Sequence, residues 1–244
     1  MKTTKVLKTN VSQITIDAVS RILNTKSQQT VAICNANTLV RSVRNSYIRN
    51  VINDFDIRTP DGFPVAKALS FFSGTKFLRV DGYKVFLNTI SDGIQNDTRH
   101  FFFGSDDLTT NLMINKINNL FPDVLISGYL CPEFTTAENL VAKYKEFFSS
   151  LETDIVWVSL GLPKQEIFID LLKREIDFDF NVVAVGGVFE WVAETKKKAP
   201  EWLANLGFEW VLRLIQDPKR LYKRYLIDNT LFVLYFLRQV LFRR

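Results

Sequence analysis

The chain has 244 residues, 47% of them hydrophobic and 23% charged, a composition that excludes disordered, collagen-like and disulfide-scaffold proteins and fits one folded domain with an appendage. A chain of this length buries about 70–75% of its unfolded surface, so it needs no metal or disulfide staple. The net charge of +5 is unevenly spread, because residues 196–244 carry 11 Lys/Arg against 4 Asp/Glu and residues 1–195 carry 20 against 22.

The first thirteen residues are mixed and polar and lack the apolar core of a secretory signal, so no export is expected. Cys34 and Cys131 have no CxxC spacing, which reads as free thiols in a reducing, intracellular compartment. From residue 30 onward, short β-branched and aromatic runs alternate with helical patterns. The runs are Thr30 to Cys34, Phe55 to Arg58, His100 to Phe103, Val124 to Ser127, Ile155 to Leu160 and Val182 to Val185. That alternation predicts an α/β fold, a mostly parallel sheet with flanking helices. Several runs end in turn residues: Asn35, the Pro60-Asp61-Gly62 turn, Gly104, Gly161 with Pro163, and Gly186-Gly187. In open α/β sheets ligands sit beyond the carboxyl ends of the strands, so the site is expected among these turns.

Beyond about residue 200 the pattern becomes helical. Glu201 to Ile215 reads as one helix, and Asp217-Pro218 as the cap and first position of another, in which Arg220 and Arg224 are i,i+4 neighbours able to grip a diphosphate. Leu231, Phe232, Leu234, Tyr235, Leu241 and Phe242 then add apolar bulk beside Arg238, Arg243 and Arg244. The seven apolar residues Leu231 to Leu237 fall far short of the ~20 of a spanning helix. Two readings stay open: a basic, aromatic helix lying in a membrane interface, or a packing helix with a solvated basic edge. The division expected is 1–195 as the α/β catalytic core and 196–244 as a membrane-docking helical appendage.

Asp61 lies between a strand and the helix that Pro64 helps start. A carboxylate there either caps the helix or takes a proton from an acceptor hydroxyl as a base. In Gly161-Leu162-Pro163-Lys164-Gln165-Glu166 the glycine permits close backbone approach, and Lys164 and Gln165 supply donors for a nucleotide or sugar; a plain strand-to-helix turn is the alternative. Gly186-Gly187 suits a phosphate or sugar near the backbone, or simply close packing. Two D-x-D strings, Asp54-Phe55-Asp56 and Asp177-Phe178-Asp179, are discounted as metal sites because neither sits in a glycine-marked turn. The single histidine, His100, leaves no basis for a histidine triad or His-rich metal site, and no G-x-G-x-x-G or P-loop motif occurs.

Thr59-Pro60-Asp61-Gly62, Arg79-Val80-Asp81-Gly82, Phe102-Phe103-Gly104, the Gly161 to Glu166 string, Val185 to Phe189, Lys198-Ala199-Pro200-Glu201-Trp202 and Gly207 to Trp210 through Arg213, Asp217-Pro218, Arg220 and Lys223-Arg224-Tyr225 resemble, in order and spacing, the WecG/TagA/CpsF family of bacterial glycosyltransferases. The resemblance implies a Rossmann-like core with a carboxyl-terminal helical appendage. It also implies inverting transfer from a UDP-sugar, by default UDP-N-acetylmannosamine, to a polyprenyl-diphosphate-linked sugar at the inner face of the cytoplasmic membrane, without a cofactor or metal. Residue by residue, it makes Asp61 the base and Asn35, Arg79, Gln165, Gly186 and Gly187 substrate-binding positions. Arg213, Arg220 and Arg224 become the diphosphate-binding arginines.

Three positions depart from the family pattern. A hydroxyl expected after the first strand is replaced by Ile33, an acid by Lys84, and a glycine before the Lys197-Lys198-Ala199-Pro200 string by Glu194 or Thr195. These changes lie where the donor sugar would be read, and they keep a second class of function in view: a non-catalytic subunit that presents the lipid-linked acceptor to another transferase. Nucleic-acid binding is the weaker rival, since the basic residues are interleaved with long apolar side chains and match no groove-reading motif. The oligomeric state, monomer or homo-oligomer, stays open.

Overall fold

The computed structural model describes residues 1–200, 203, 207 and 209–242, apart from the side chains of residues 209, 213, 220 and 223–225. A short antiparallel hairpin, β1 (Thr3–Val6) and β2 (Thr9–Ser12), precedes helix α1 (Ile16–Leu23). The main sheet follows: β3 (Thr30–Cys34), β4 (Ile57–Pro60), β5 (Arg99–Gly104), β6 (Leu125–Leu130), β7 (Ile155–Ser159) and β8 (Asn181–Ala184). Its strand order is β4-β3-β8-β7-β5-β6, and every neighbouring pair is parallel. Each of the six predicted runs overlaps one of these strands, and the α/β class holds.

Parallel strands need crossovers, and the helices supply them on both faces. On one face α2 (Ala36–Arg44), α3 (Ser46–Asp54), α7 (Ala137–Ser149) and α8 (Lys164–Glu175) bury Leu39, Val51, Leu140 and Phe168 against Ala32, Phe101, Val156 and Val182. On the other, α1, α5 (Gly82–Gly93), α6 (Asp107–Leu120) and α9 (Val188–Val192) pack Leu23, Phe86, Met113 and Phe189 against Val31, Phe102, Trp157 and Val183. Strand residues thus alternate between two cores, as a two-sided sheet requires. The edge strand β4 is covered by the hairpin, where the Ser12 hydroxyl accepts the Arg58 N–H and the Asn10 carbonyl accepts Arg58 Nε–H.

Because all six strands run the same way, every turn that the sequence marked with Asn, Asp or Gly leaves at one edge of the sheet. Gly104 is where two of those exits crowd. A Cβ on it would lie 2.3 Å from the Ser159 carbonyl oxygen, and its φ of +120° is open only to glycine. The D-x-D strings, in contrast, sit at the amino-terminal edge. The Asp56 carboxylate accepts the Thr30 N–H and hydroxyl, Asp54 pairs with Lys173, and Asp179 accepts from Gln28.

The carboxyl-terminal segment is helical, with α10 (Glu209–Gln216), α11 (Pro218–Tyr222), a π-helical turn (Lys223–Asp228) and α12 (Asn229–Leu241). Of the helix expected over Glu201–Ile215, Leu203 and the part from Glu209 onward are helical, while residues 201, 202, 204–206 and 208 lie outside the described residues. The last helix docks on the body. Phe232 is buried, Phe236 meets the rings of Phe71 and Phe72 on α4 (Phe63–Ser73) at 5.6 and 5.4 Å, and the Gln239 carboxamide accepts the Leu7 N–H and donates to the Lys5 carbonyl.

Candidate functional site

Four adjacent strands, β4, β3, β8 and β7, carry most of the predicted site residues at their carboxyl ends. Asn35 ends β3 and caps α2, its side-chain oxygen accepting the Thr38 N–H at 3.2 Å. Beside it, the Asp61 N–H donates to the Cys34 carbonyl at 3.0 Å, which fixes the Asp61 backbone against the end of β3. The residue at the cap of α4 is Gly62, whose φ of +78° only glycine takes easily and which has no side chain to cap with. Asp61 therefore sits one residue outside the cap position.

The loop leading to α5 is tied to the same place, since the Val80 N–H donates to the Pro60 carbonyl at 2.9 Å. Asp81 then caps α5 by accepting the Tyr83 N–H. Its buried carboxylate also meets Arg79 Nη2 at 3.4 Å and Lys198 Nζ at 3.0 Å. Burial alone would raise the Asp81 carboxyl, but the charge and hydrogen bond of Lys198, the Arg79 guanidinium and the Tyr83 N–H together hold it below the usual carboxylate range. Arg79, expected to touch substrate, is thus engaged with Asp81 inside the protein.

Gln165 is buried, and its position shows a role that sequence spacing did not reveal. Its Oε1 accepts the Gly161 N–H at 3.3 Å and the Gly186 N–H at 3.0 Å, while its Nε2 donates to Glu166 Oε1 at 2.9 Å. The Ser159 hydroxyl donates to the Gly186 carbonyl at 2.6 Å. The two glycine turns that close β7 and β8 are therefore held by one amide and one hydroxyl. Lys164, read as a donor toward substrate, turns to the Thr135 carbonyl at 3.2 Å and lies 4.5 Å from the centre of the Phe134 ring.

Arg213, Arg220 and Arg224 have side chains outside the described residues, and only their backbone is placed, on α10, α11 and the π turn. The segment that carries them crosses the carboxyl edge of the sheet. A Cβ on Gly207 would lie 3.1 Å from the Phe63 ring at the start of α4, Gln216 Nε2 donates to the Lys197 carbonyl at 3.0 Å, and the Asn37 amide in the first turn of α2 donates to the Asp228 carboxylate.

Groups set aside in the sequence occupy inert positions. His100 is buried in β5, accepts the Trp157 indole N–H at 3.2 Å, and is pushed down to about 4 by burial, so it is neutral near pH 7. Burial drives the Cys34 thiol far above its ordinary value, with Glu166 adding to the effect, so it is no nucleophile. Among the described residues, no cluster of three or more His, Cys, Asp or Glu is placed to hold a metal ion, and no helix is long and apolar enough to cross a membrane.

Backbone N–H groups, a carboxylate and cations gathered at the carboxyl edge of a parallel sheet are the arrangement in which open α/β proteins hold anionic ligands. The chain belongs to the WecG/TagA/CpsF family of glycosyl transferases, whose family model matches residues 4–244. It is 28% identical over 171 residues, 70% of this chain and 65% of the relative's length, to the N-acetylglucosaminyldiphosphoundecaprenol N-acetyl-beta-D-mannosaminyltransferase of Bacillus subtilis (strain 168). It is 26% identical over 182 residues, covering 73% of this chain and 68% of the relative, to the protein of the same name from Bacillus spizizenii (strain ATCC 23059 / NRRL B-14472 / W23). The match thus spans just under two thirds of the first of these relatives.

Two outcomes test the construction. Gln165→Ala removes the acceptor of two backbone N–H groups and the donor to a buried carboxylate, and should cost about 2–4 kcal/mol in urea unfolding. An unchanged urea midpoint would show that the turns hold themselves. Asp81→Asn should cost about 1–3 kcal/mol near neutrality. A depressed carboxyl pKa stabilises above the unfolded value near 4 and stops doing so as pH falls through the lower folded value. The stability gap between wild type and Asp81→Asn should therefore be flat from pH 5 to 8 and close below pH 4.

Proposed function

We propose that the chain is an inverting glycosyltransferase. It moves a sugar from a uridine diphosphate donor, by default UDP-N-acetylmannosamine, onto a polyprenyl-diphosphate-linked saccharide at the inner face of the cytoplasmic membrane. The observation that carries this reading is the match of the whole family pattern together with the placing of Asp61 beside Asn35 at the carboxyl edge of the sheet. Asp61 takes the proton of the acceptor hydroxyl, and that oxygen attacks the anomeric carbon from the face opposite the diphosphate. As the carbon–oxygen bond to the diphosphate breaks, negative charge grows on the leaving group. Arg213, Arg220 and Arg224 answer it, since a planar guanidinium meets phosphate oxygens with two hydrogen bonds and stays charged. Protein cations carry this task in the proposal, and the two D-x-D strings at the opposite edge of the sheet are consistent with that.

Membrane docking is the second part of the reading. The outward face of α12 shows Val233, Leu234, Leu237 and Leu241, each about half exposed or more, at helical spacing, with exposed Phe71 of α4 nearby. Basic residues accompany them, as in helices that lie in a lipid interface.

Turnover of UDP-N-acetylmannosamine with a short-chain polyprenyl-diphosphate acceptor tests the chemistry. Asp61→Asn should lower the rate by about 10²–10⁴-fold, the usual effect of losing a general base, with UDP binding kept. Wild-type rates in that variant would remove Asp61 from the base role, and no nucleotide release by the purified wild-type chain would favour the non-catalytic partner subunit. Flotation with phosphatidylglycerol vesicles tests the docking. Leu234→Glu with Leu237→Glu should abolish co-flotation without unfolding the chain, and undiminished flotation would place the lipid contact elsewhere.

A further inference from the structure

We propose that Lys198 is a diphosphate-binding residue of this site and that Asp81 is the positioning residue that holds it there. The inference rests on the glycosyltransfer reading above and adds to it two residues that the expected set of contacts omits. Lys198 Nζ lies 3.0 Å from Asp81 Oδ2 and 3.9 Å from the centre of the Tyr83 ring. Asp81 and Tyr83 stand in the first turn of α5, while Lys198 arrives from 117 residues further along the chain. An ammonium group has three N–H donors. The carboxylate takes one and the ring face attracts the charge from another side, so one direction is left, and the side chain is 21% exposed against 5% for Asp81. The lysine is therefore clamped in place with its remaining donor turned away from the interior.

Position decides what that donor meets. Val80, the neighbour of Asp81, is hydrogen-bonded to Pro60, the neighbour of Asp61, so the clamped ammonium and the proposed base flank one backbone contact at the carboxyl edge of the sheet. Gln216 reaches the carbonyl of Lys197 at 3.0 Å, so the arginine-bearing segment also touches the loop that carries Lys198. An anion bridging the base and that segment passes this lysine. A compact point charge suits a phosphate oxygen, and holding it beforehand avoids ordering a flexible side chain when the ligand arrives.

UDP binding by calorimetry, with thermal melting of each variant, tests this. Lys198→Met keeps the stem and removes the charge, and should weaken UDP at least tenfold at a temperature where the variant is still folded, its melting temperature falling because Asp81 loses its main partner, whereas Lys198→Arg should stay within threefold of wild type. Asp81→Asn still accepts the Tyr83 N–H but no longer holds the ammonium, and should weaken UDP three- to tenfold. If Asp81 acts through Lys198, the double variant binds no worse than Lys198→Met alone. Wild-type UDP affinity in Lys198→Met, or losses that add in the double variant, would overturn the inference while leaving the glycosyltransfer reading intact. A wild-type chain that binds no UDP would overturn both. Should Lys198→Met fail to fold, Lys198→Arg still decides, because a loss beyond threefold in a folded Lys198→Arg chain contradicts a phosphate contact made by charge.

Discussion

At the carboxyl ends of β7 and β8 two segments leave the sheet at neighbouring points, and one oxygen, Gln165 Oε1, takes an N–H from each. A parallel sheet creates the need for such a tie. Its strands all finish at the same edge, where the first N–H groups of each turn have lost the ladder and require a partner. A ligand can supply it, but only in the bound state. Here a buried side chain supplies it permanently, and so sets the Gly186 turn relative to the Gly161 turn before any ligand arrives. From Gly186 the chain enters α9, whose Val188 and Phe189 pack with Val85 and Phe86 of α5. The start of α5 is in turn capped by Asp81, so placement of the whole edge propagates outward from one amide.

The carboxyl-terminal segment uses the same economy in another way. Its last helix has an inner face, Phe232 and Phe236, that completes the core between α2, α4 and the hairpin, and an outer face of exposed aliphatic residues. Docking through aromatic contacts and the two Gln239 hydrogen bonds leaves the arginine-bearing turns between residues 209 and 228 spanning the sheet's edge. A helix that were only a lipid anchor would not bury phenylalanines against the body, and one that were only packing would not show four aliphatic side chains outward. The packing reading therefore holds for the inner face, and the outer face is the one left for the lipid contact proposed above.

Five of the six strands of the main sheet were legible because a strand covered on both faces is a nearly unbroken apolar run, as in Thr30 to Cys34 and Ile155 to Ser159, whereas the edge strand β6 alternates exposed and half-buried residues. The hairpin was not. Its strands read TTKV and TNVS, and only Val6, Val11 and the buried Thr9 and Ser12 reveal that one face is covered. At the site, Asp61 and Asn35 stood out because turn chemistry is local. The pairing of Arg79 and Asp81 with Lys198 was invisible because Lys198 lies 117 residues beyond Asp81, and no short-range pattern records such a contact. Gln165 stood out in the sequence as a polar residue after a glycine turn, which signals a need for donors and acceptors; that the Gly161 and Gly186 N–H groups meet its Oε1 is seen only in the fold.

One departure from the family pattern, Ile33, is absorbed by packing and leaves the frame of the sheet's edge unchanged. Ile33, standing where the family carries a hydroxyl, points to the face shared with α5 and α9. Its Cγ2 lies 3.2 Å from where a Cβ on Gly82 would be, with Val188 adjoining. A branched aliphatic side chain fills that space against a glycine and a valine, so the substitution converts a polar position into packing and leaves the neighbouring backbone of Asn35 and Asp61 in place.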